Sequence, residues 1–299
     1  MSEIKNAAVL VFDVGGSHVS CAVCSGPEFQ LGPVFKEHHP EEQTSEAFVD
    51  LLQRLGELAS AGLRQLAGAT LAMPSPFDFA AGVSLMRHKL PYLYGVDLRL
   101  ALAQRFGWQP AEVSFVNDAD AYLLGEIGAG AGRGFARVIG MTLGTGTGGG
   151  FAVNGKLVTE GPGVPRGGEI WDIPYEGGIV EDCLSTRAIE GGYQKRTGKA
   201  CDVATIASAA AEDPAAQETF TEFGFHLGRV LGAILADFHP DAAVLGGGIA
   251  HASRLFLPAA QAELKGSNVQ LRVSELWDRA PLVGCGVARF NSSSAVLPA

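Results

Sequence analysis

Three glycine-rich turns stand out along the chain: Asp13-Val14-Gly15-Gly16-Ser17, Leu143-Gly144-Thr145-Gly146-Thr147-Gly148-Gly149-Gly150 and Leu245-Gly246-Gly247-Gly248. A phosphate chain carries several anionic oxygens and needs many N–H donors converging at short range. Glycine meets that need because it accepts positive φ and has no Cβ to block the approach. Each turn follows a short hydrophobic run, and two of the three bear hydroxyls. One such turn would be an ordinary hairpin. Three in one chain point to a bound polyphosphate or nucleotide.

Context removes two common nucleotide motifs. Gly144-x-Gly146-x-x-Gly149 matches the dinucleotide fingerprint, but that fingerprint must open a helix facing the pyrophosphate. Here the text continues Phe151-Ala152-Val153-Asn154-Gly155-Lys156, and Asn-Gly is a strong hairpin signal. A Walker A loop is absent, since neither Gly155-Lys156 nor Gly198-Lys199 is followed by Ser or Thr.

The turns need strands to present them. Strands are expected over Ala7–Phe12 and His18–Cys24 flanking the first turn, with a third around Leu31–Lys36. A long amphipathic helix is predicted near Ser45–Leu66, with Phe48, Leu51, Leu52, Leu55 and Leu58 at helical spacing. Ala69–Met73 reads as a short buried strand, Asp97–Phe106 as a helix and Glu112–Val116 as the next strand. A helix is expected over Ala119–Ile127, after Asn117-Asp118. A second round opens with strand Arg137–Leu143, the second turn, and strands Phe151–Val153 and Lys156–Thr159. Helices near Ser185–Thr197, Asp202–Ala211 and Asp213–Phe238 follow. Gly224, Gly228 and Gly232 lie along the last of these, as close packing against another element would require. Asp241–Leu245 is a buried strand running into the third turn and a further helix.

Strand–glycine turn–strand followed by α/β material therefore occurs twice. The expected fold class is α/β, two related halves that are each a mixed sheet covered by helices. The expected division is 1–117, with the first turn, and 118–299, with the other two turns; a final helix near 281–290 packs back on the first domain.

Composition narrows the class further. Of 299 residues, 47% are hydrophobic and 18% charged, which suits a sizeable core. The net charge of −10 disfavours nucleic acid and anionic membrane surfaces as partners. Five scattered cysteines read as reduced thiols, and Cys21 and Cys24 would face opposite sides of one strand. No stretch reaches the roughly 20 apolar residues of a membrane span, and no signal-peptide layout opens the chain. A cytoplasmic protein is expected.

The motifs in this order, Asp13-Val-Gly-Gly-Ser17, Val116-Asn117-Asp118-Ala119, Leu143-Gly-Thr-Gly146 and Leu245-Gly-Gly-Gly248, resemble the ROK family (repressors, open reading frames and kinases) of the actin-like ATPase superfamily. The resemblance runs to Gly284-Cys285-Gly286 and includes Pro74-Ser75-Pro76 and Gly168-Glu169-Ile170. It implies an ATP-dependent sugar kinase of two ribonuclease H-like domains with a cleft between them, and a homodimer. It implies that Gly15, Gly16 and Ser17 form one phosphate turn and that Gly144, Thr145 and Gly146 form the other. Gly247 and Gly248 would lie near the adenosine, and Asp13 would position Mg2+ through water. Asp118 would be the general base, while Asn117, Glu169, Glu181 and Asp172 would meet the sugar. These residue types suit phosphoryl transfer, which depends mainly on positioning and charge stabilisation. The bland readings are that Asn117-Asp118 only caps a helix and that Glu169 and Glu181 are solvated loop carboxylates.

The sequence departs from the family where many members carry Gly-Glu-Ile-Gly-His and a Cys-rich zinc segment. Here Gly168-Glu169-Ile170-Trp171-Asp172 and Tyr175–Glu181 stand in those places, so no zinc site is expected. The family favours glucose as acceptor, with N-acetylhexosamine, mannose or fructose as alternatives. Two readings compete with a kinase using ATP: a non-catalytic sugar-binding or regulatory member of the family, and a kinase that takes polyphosphate.

Overall fold

The computed structural model describes residues 8–40, 42–63 and 65–292. The elements of its first part are β1 (Ala8–Val14), β2 (His18–Ser25), β3 (Gln30–Leu31), β4 (Phe35–His38), α1 (Ser45–Ala59), β5 (Ala69–Met73), β6 (Phe77–Asp78), β7 (Val83–Ser84), α2 (Leu98–Phe106), β8 (Val113–Asn117) and α3 (Asp118–Ala129). The middle part holds β9 (Arg137–Leu143), β10 (Thr147–Val153), β11 (Lys156–Leu157), β12 (Pro174–Tyr175), β13 (Gly178–Ile179), α4 (Val180–Cys183), α5 (Thr186–Thr197), α6 (Val203–Ala209), α7 (Pro214–Phe238), β14 (Ala242–Gly246), α8 (Ser253–Glu263) and β15 (Gln270–Val273). The last helix is α9 (Ala280–Ser292). The described residues form two units: those up to Ala129 together with those from Asp278 onward, and Gly130–Trp277.

In the first unit the sheet order is β3-β2-β1-β5-β8, with β4 also on β2. β1 pairs antiparallel with β2 and parallel with β5, and β5 is parallel to β8. The strands read as continuous apolar runs because both faces are covered. Leu10, Phe12 and Val14 pack with Phe48 and Leu52 of α1 and Leu98 and Leu102 of α2. Val9 and Val11 pack with Ala121 of α3 and with Leu282 and Cys285 of α9. Cys21 joins the first cluster and Cys24 the second, and burial pushes both thiols up. They form no disulfide with each other.

Several boundaries differ from expectation for local reasons. The described part of β1 starts at Ala8, and Ala7 lies outside the described residues. The strand expected at Leu31–Lys36 is two pieces, parted by Gly32-Pro33-Val34, where proline has no N–H for a ladder. α1 stops at Ala59, where the Ser60 hydroxyl bonds the Gly56 carbonyl at 2.6 Å, and Leu58 is 49% exposed. The division of the chain falls after Ala129, not before Asp118. α3 belongs with α9 because Gly125 lies against the Ala280 carbonyl and Gly284 against that of Ala121; a Cβ at either glycine would collide with main chain.

The second unit repeats the plan. Its sheet order is β11-β10-β9-β14-β15, with β9 antiparallel to β10 and β14 parallel to β9 and β15. α7 packs on α8 through the predicted glycines: Gly224 abuts Phe256 and Ala259, and Gly228 abuts Ala260. The third glycine turn leads first into a 3-10 turn, Gly248–Ala252, and only then into α8. No described helix is long and apolar enough to cross a membrane.

Candidate active site

The first glycine turn closes the β1–β2 hairpin, with Val14 opposite Val19 and the Gly15 N–H donating to the His18 carbonyl at 2.9 Å. Its carbonyls are held from outside. The His39 ring donates from Nε2 to the Gly15 carbonyl at 3.0 Å, and the His38 ring from Nδ1 to that of Ser17 at 3.1 Å. Gly16 and Ser17 are exposed at the tip. Among the described residues no protein group accepts their N–H groups. A pair of turn N–H groups without a protein acceptor is the kind of donor set an anion cradle requires.

Asp13 sits on β1 just before this turn. Burial and the carboxylates of Asp118 and Asp278 push it up to about 7, with Lys36 pulling the other way. Asp13 and Asp118 offer hard carboxylate oxygens of the kind a magnesium ion takes. Among the described residues no three His, Cys, Asp or Glu groups could hold a metal by themselves. Magnesium commonly takes one or two carboxylates and completes its shell with water and phosphate.

Asn117 ends β8 and Asp118 opens α3, and the structure divides their roles. Asn117 is the cap: its Oδ1 accepts from the N–H of Ala119 at 3.0 Å and of Asp120 at 3.3 Å, while Nδ2 donates to Ser75 Oγ at 3.1 Å. The cap is therefore made chiefly by Asn117, which takes two of the first N–H groups. Asp118 keeps Oδ1 on the Ala119 N–H at 2.9 Å. Burial raises its pKa, against Lys89, the Ala119 N–H and the Asn117 amide. A carboxylate whose affinity for a proton is raised, at the positive end of a helix, is a competent proton acceptor.

The second turn closes the β9–β10 hairpin. The Gly144 N–H donates to the Gly146 carbonyl at 3.0 Å, and the Gly144 carbonyl accepts from the Thr186 N–H at 2.7 Å. The N–H groups of Thr145 and Gly146 likewise have no protein acceptor among the described residues. Glu181, from α4, braces this turn: its Oε2 accepts the Thr147 N–H at 3.0 Å. A Cβ on Gly146 would stand 2.6 Å from that same oxygen, so any other residue there would push the Glu181 carboxylate off the turn. One oxygen of Glu181 is thus committed to the turn, whatever the other meets.

Beside this turn lies a cavity of about 490 Å³, lined by Thr186, Glu190, Asp202, Gly248, His251 and Leu255 among others. The two glycines of the third turn do different jobs. Gly247, at φ 81°, lies flat on the Leu143 main chain, and any Cβ would collide with it. Gly248 faces open space and lines the cavity. Thr186 belongs to both features, bonding the turn and walling the cavity. Turn and cavity are therefore neighbours, as a phosphate site and a nucleoside site must be. The volume lies within the usual range for small-molecule pockets.

Glu169 and Asp172 follow in the loop after β11. Glu169 Oε2 accepts from the Trp171 indole at 2.9 Å, and Asp172 is exposed. The stretch that stands where the family's Cys-rich segment is found is a hairpin, β12–β13. Its turn uses Glu176 and Gly177 at positive φ. Side chains fasten it to α7, Tyr175 Oη to His226 Nδ1 at 2.8 Å and Glu176 to Arg229 at 2.9 Å.

Sequence reasoning missed the cavity walls, Trp171 and the bracing histidines. Glu190, Asp202 and His251 come from three separate helical segments, and nothing local marks them as neighbours. His38-His39 was visible as a pair, but its use required the β2–β4 pairing, which sets His18 opposite His38.

A model of the ROK family matches residues 9–287 of the chain. The N-acetylgalactosamine kinase of Shewanella sp. (strain ANA-3) is 27% identical over 95% of this chain and 92% of its own length. The glucokinase of Thermotoga maritima is 26% identical, covering 81% of this chain and 82% of its own. The crystal structure of the ROK hexokinase from Thermus thermophilus superposes with a TM-score of 0.81 at 26% identity, covering 97% of this chain and all of that one.

Proposed function

The chain belongs to the ROK family, and we propose that this protein is an ATP-dependent kinase for a hexose-type sugar, with Asp118 as general base. The observation that carries the reading is the shared wall of the second unit. A phosphate-type turn with two free N–H groups adjoins a nucleoside-sized cavity, and Thr186 joins the two. A polyphosphate donor would need the turns and not the cavity, so the geometry favours a nucleotide.

In this reading the N–H groups of Thr145 and Gly146, and those of Gly16 and Ser17, hold phosphate oxygens. Asp13 would hold magnesium through water, and the ion when bound neutralises charge on the transferring phosphoryl group. Asp118 accepts the proton of the attacking sugar hydroxyl. Because the transition state is loose, most of that proton moves late, and aim matters more than base strength. Glu169 accepts from further hydroxyls, and Asn117 fixes the start of α3 so that Asp118 points consistently.

The related kinases are named for glucose and for N-acetylgalactosamine at nearly equal identity. Glucose, giving glucose 6-phosphate, is the first acceptor to test and N-acetylhexosamines the second. The test is sugar-dependent ADP release with MgATP over a panel of hexoses and N-acetylhexosamines, with Asp118→Asn alongside. Turnover that collapses in the variant supports the reading. ATP binding without turnover on any sugar would refute it and favour a binding or regulatory protein.

A further inference from the structure

We propose that the indole of Trp171 is a stacking platform for the acceptor sugar, a substrate contact made by this chain's own side chain; the proposal rests on the sugar-kinase reading above. Trp171 is 41% exposed, one of few large apolar side chains left in water. The other exposed aromatic rings are covered. Arg87 lies 4.0 Å over the Tyr94 ring and Arg229 lies 5.5 Å over that of Phe225. Among the described residues the Trp171 ring has neither a cation nor another ring against it.

The exposure is not looseness. Ile170, immediately before it, is fully buried and packs on Gly149 of β10. The Trp171 carbonyl accepts the Glu181 N–H at 3.0 Å, and its indole N–H is held by Glu169 at 2.9 Å. The backbone is therefore anchored, and a carboxylate stands at the edge of a partly exposed ring. A pyranose asks for that pairing, because one face of its ring is a patch of C–H groups while its hydroxyls point outward. An aromatic plane takes the patch and an adjacent carboxylate accepts from a hydroxyl. The bond to the indole also orients Glu169 for that acceptance.

The test has two arms. In the first, Trp108→Phe and Trp277→Phe leave Trp171 as the only tryptophan of the three, and its emission is followed as the panel sugars are added. A saturable change is expected. In the second, steady-state kinetics compare wild type, Trp171→Phe and Trp171→Ala. Alanine should raise the sugar KM about tenfold, with kcat within about threefold. Phenylalanine also loses the N–H to Glu169 but keeps an aromatic face, so its KM should stay within about threefold of wild type. If wild type turns over a sugar but alanine leaves KM unchanged and emission does not respond, the platform is wrong and the kinase stands. If wild type turns over no sugar, the kinase reading fails, and the emission titration decides the platform alone. If the alanine variant does not fold, the emission arm, which keeps the native Trp171, still decides.

Discussion

The two phosphate-type turns are built on the same strand plan but are held in opposite ways. The turn at Gly15–Ser17 is gripped through its carbonyl oxygens by two imidazoles, with the Asp13 carboxyl close behind it. The turn at Gly144–Gly146 is gripped on its donor side by the carboxylate of Glu181 and on one carbonyl by Thr186. Both arrangements leave two N–H groups at the tip. The lesson is that a phosphate cradle is specified by which donors are left unspent, and the brace can be any chemistry that spends the rest.

The comparison can be broken at its largest effect first. Asp118→Asn should lower kcat by about 10²–10⁴-fold with little change in either KM, read by the ADP-release assay; a smaller loss would place the base elsewhere. Glu181→Ala should release the second turn and raise the nucleotide KM by about tenfold or more, as the loss of a charge-assisted bond implies. A fall in that KM would instead mean that the carboxylate repels phosphate more than it orders the turn.

Asp13 sharpens the contrast through pH. Its pKa in the folded chain is about 7, above the 3.8 of an ordinary aspartate. The folded state therefore binds the proton more tightly, and the group destabilises the fold above pH 7, a cost that fades as pH falls towards 4. Asp13→Asn should thus be more stable than wild type at pH 8 by about 4 kcal/mol and nearly equal at pH 4, by denaturant melts without metal. Equal stability at both pH values would show that Asp13 is not strained by its neighbours. The smallest effect belongs to His39→Ala, which should cost about 1 kcal/mol and disturb the first turn only, leaving a sugar-only emission change intact.

Much of the fold could be read from the residues. Both-face burial makes Val9–Phe12 an unbroken apolar run and leaves Thr70 as the one polar residue of Ala69–Met73, and glycine marks where each hairpin turns. The end of α1 was not legible, because Leu58 and Leu63 continue the helical spacing although the chain leaves the helix at Ser60 and turns at Gly62, φ 85°. Nor was the unit boundary, since the partner that claims α3 lies more than 150 residues further on, at Gly284. The site divides the same way. Its glycines and Asp118 announce themselves locally, whereas the cavity exists only after α5, α6 and the Gly248–Ala252 turn have met.

The glycine contact between α3 and α9 also sets an order of assembly. The second unit is an insertion whose sheet and helices are complete by Trp277. The first unit is not complete until Ala280–Ser292 has been made. As the chain emerges from the ribosome, the Val9–Val11 face of β1 therefore waits without its α9 cover through the synthesis of an entire second unit. A nascent chain halted before residue 280 would carry a finished second unit and an open, chaperone-seeking first one.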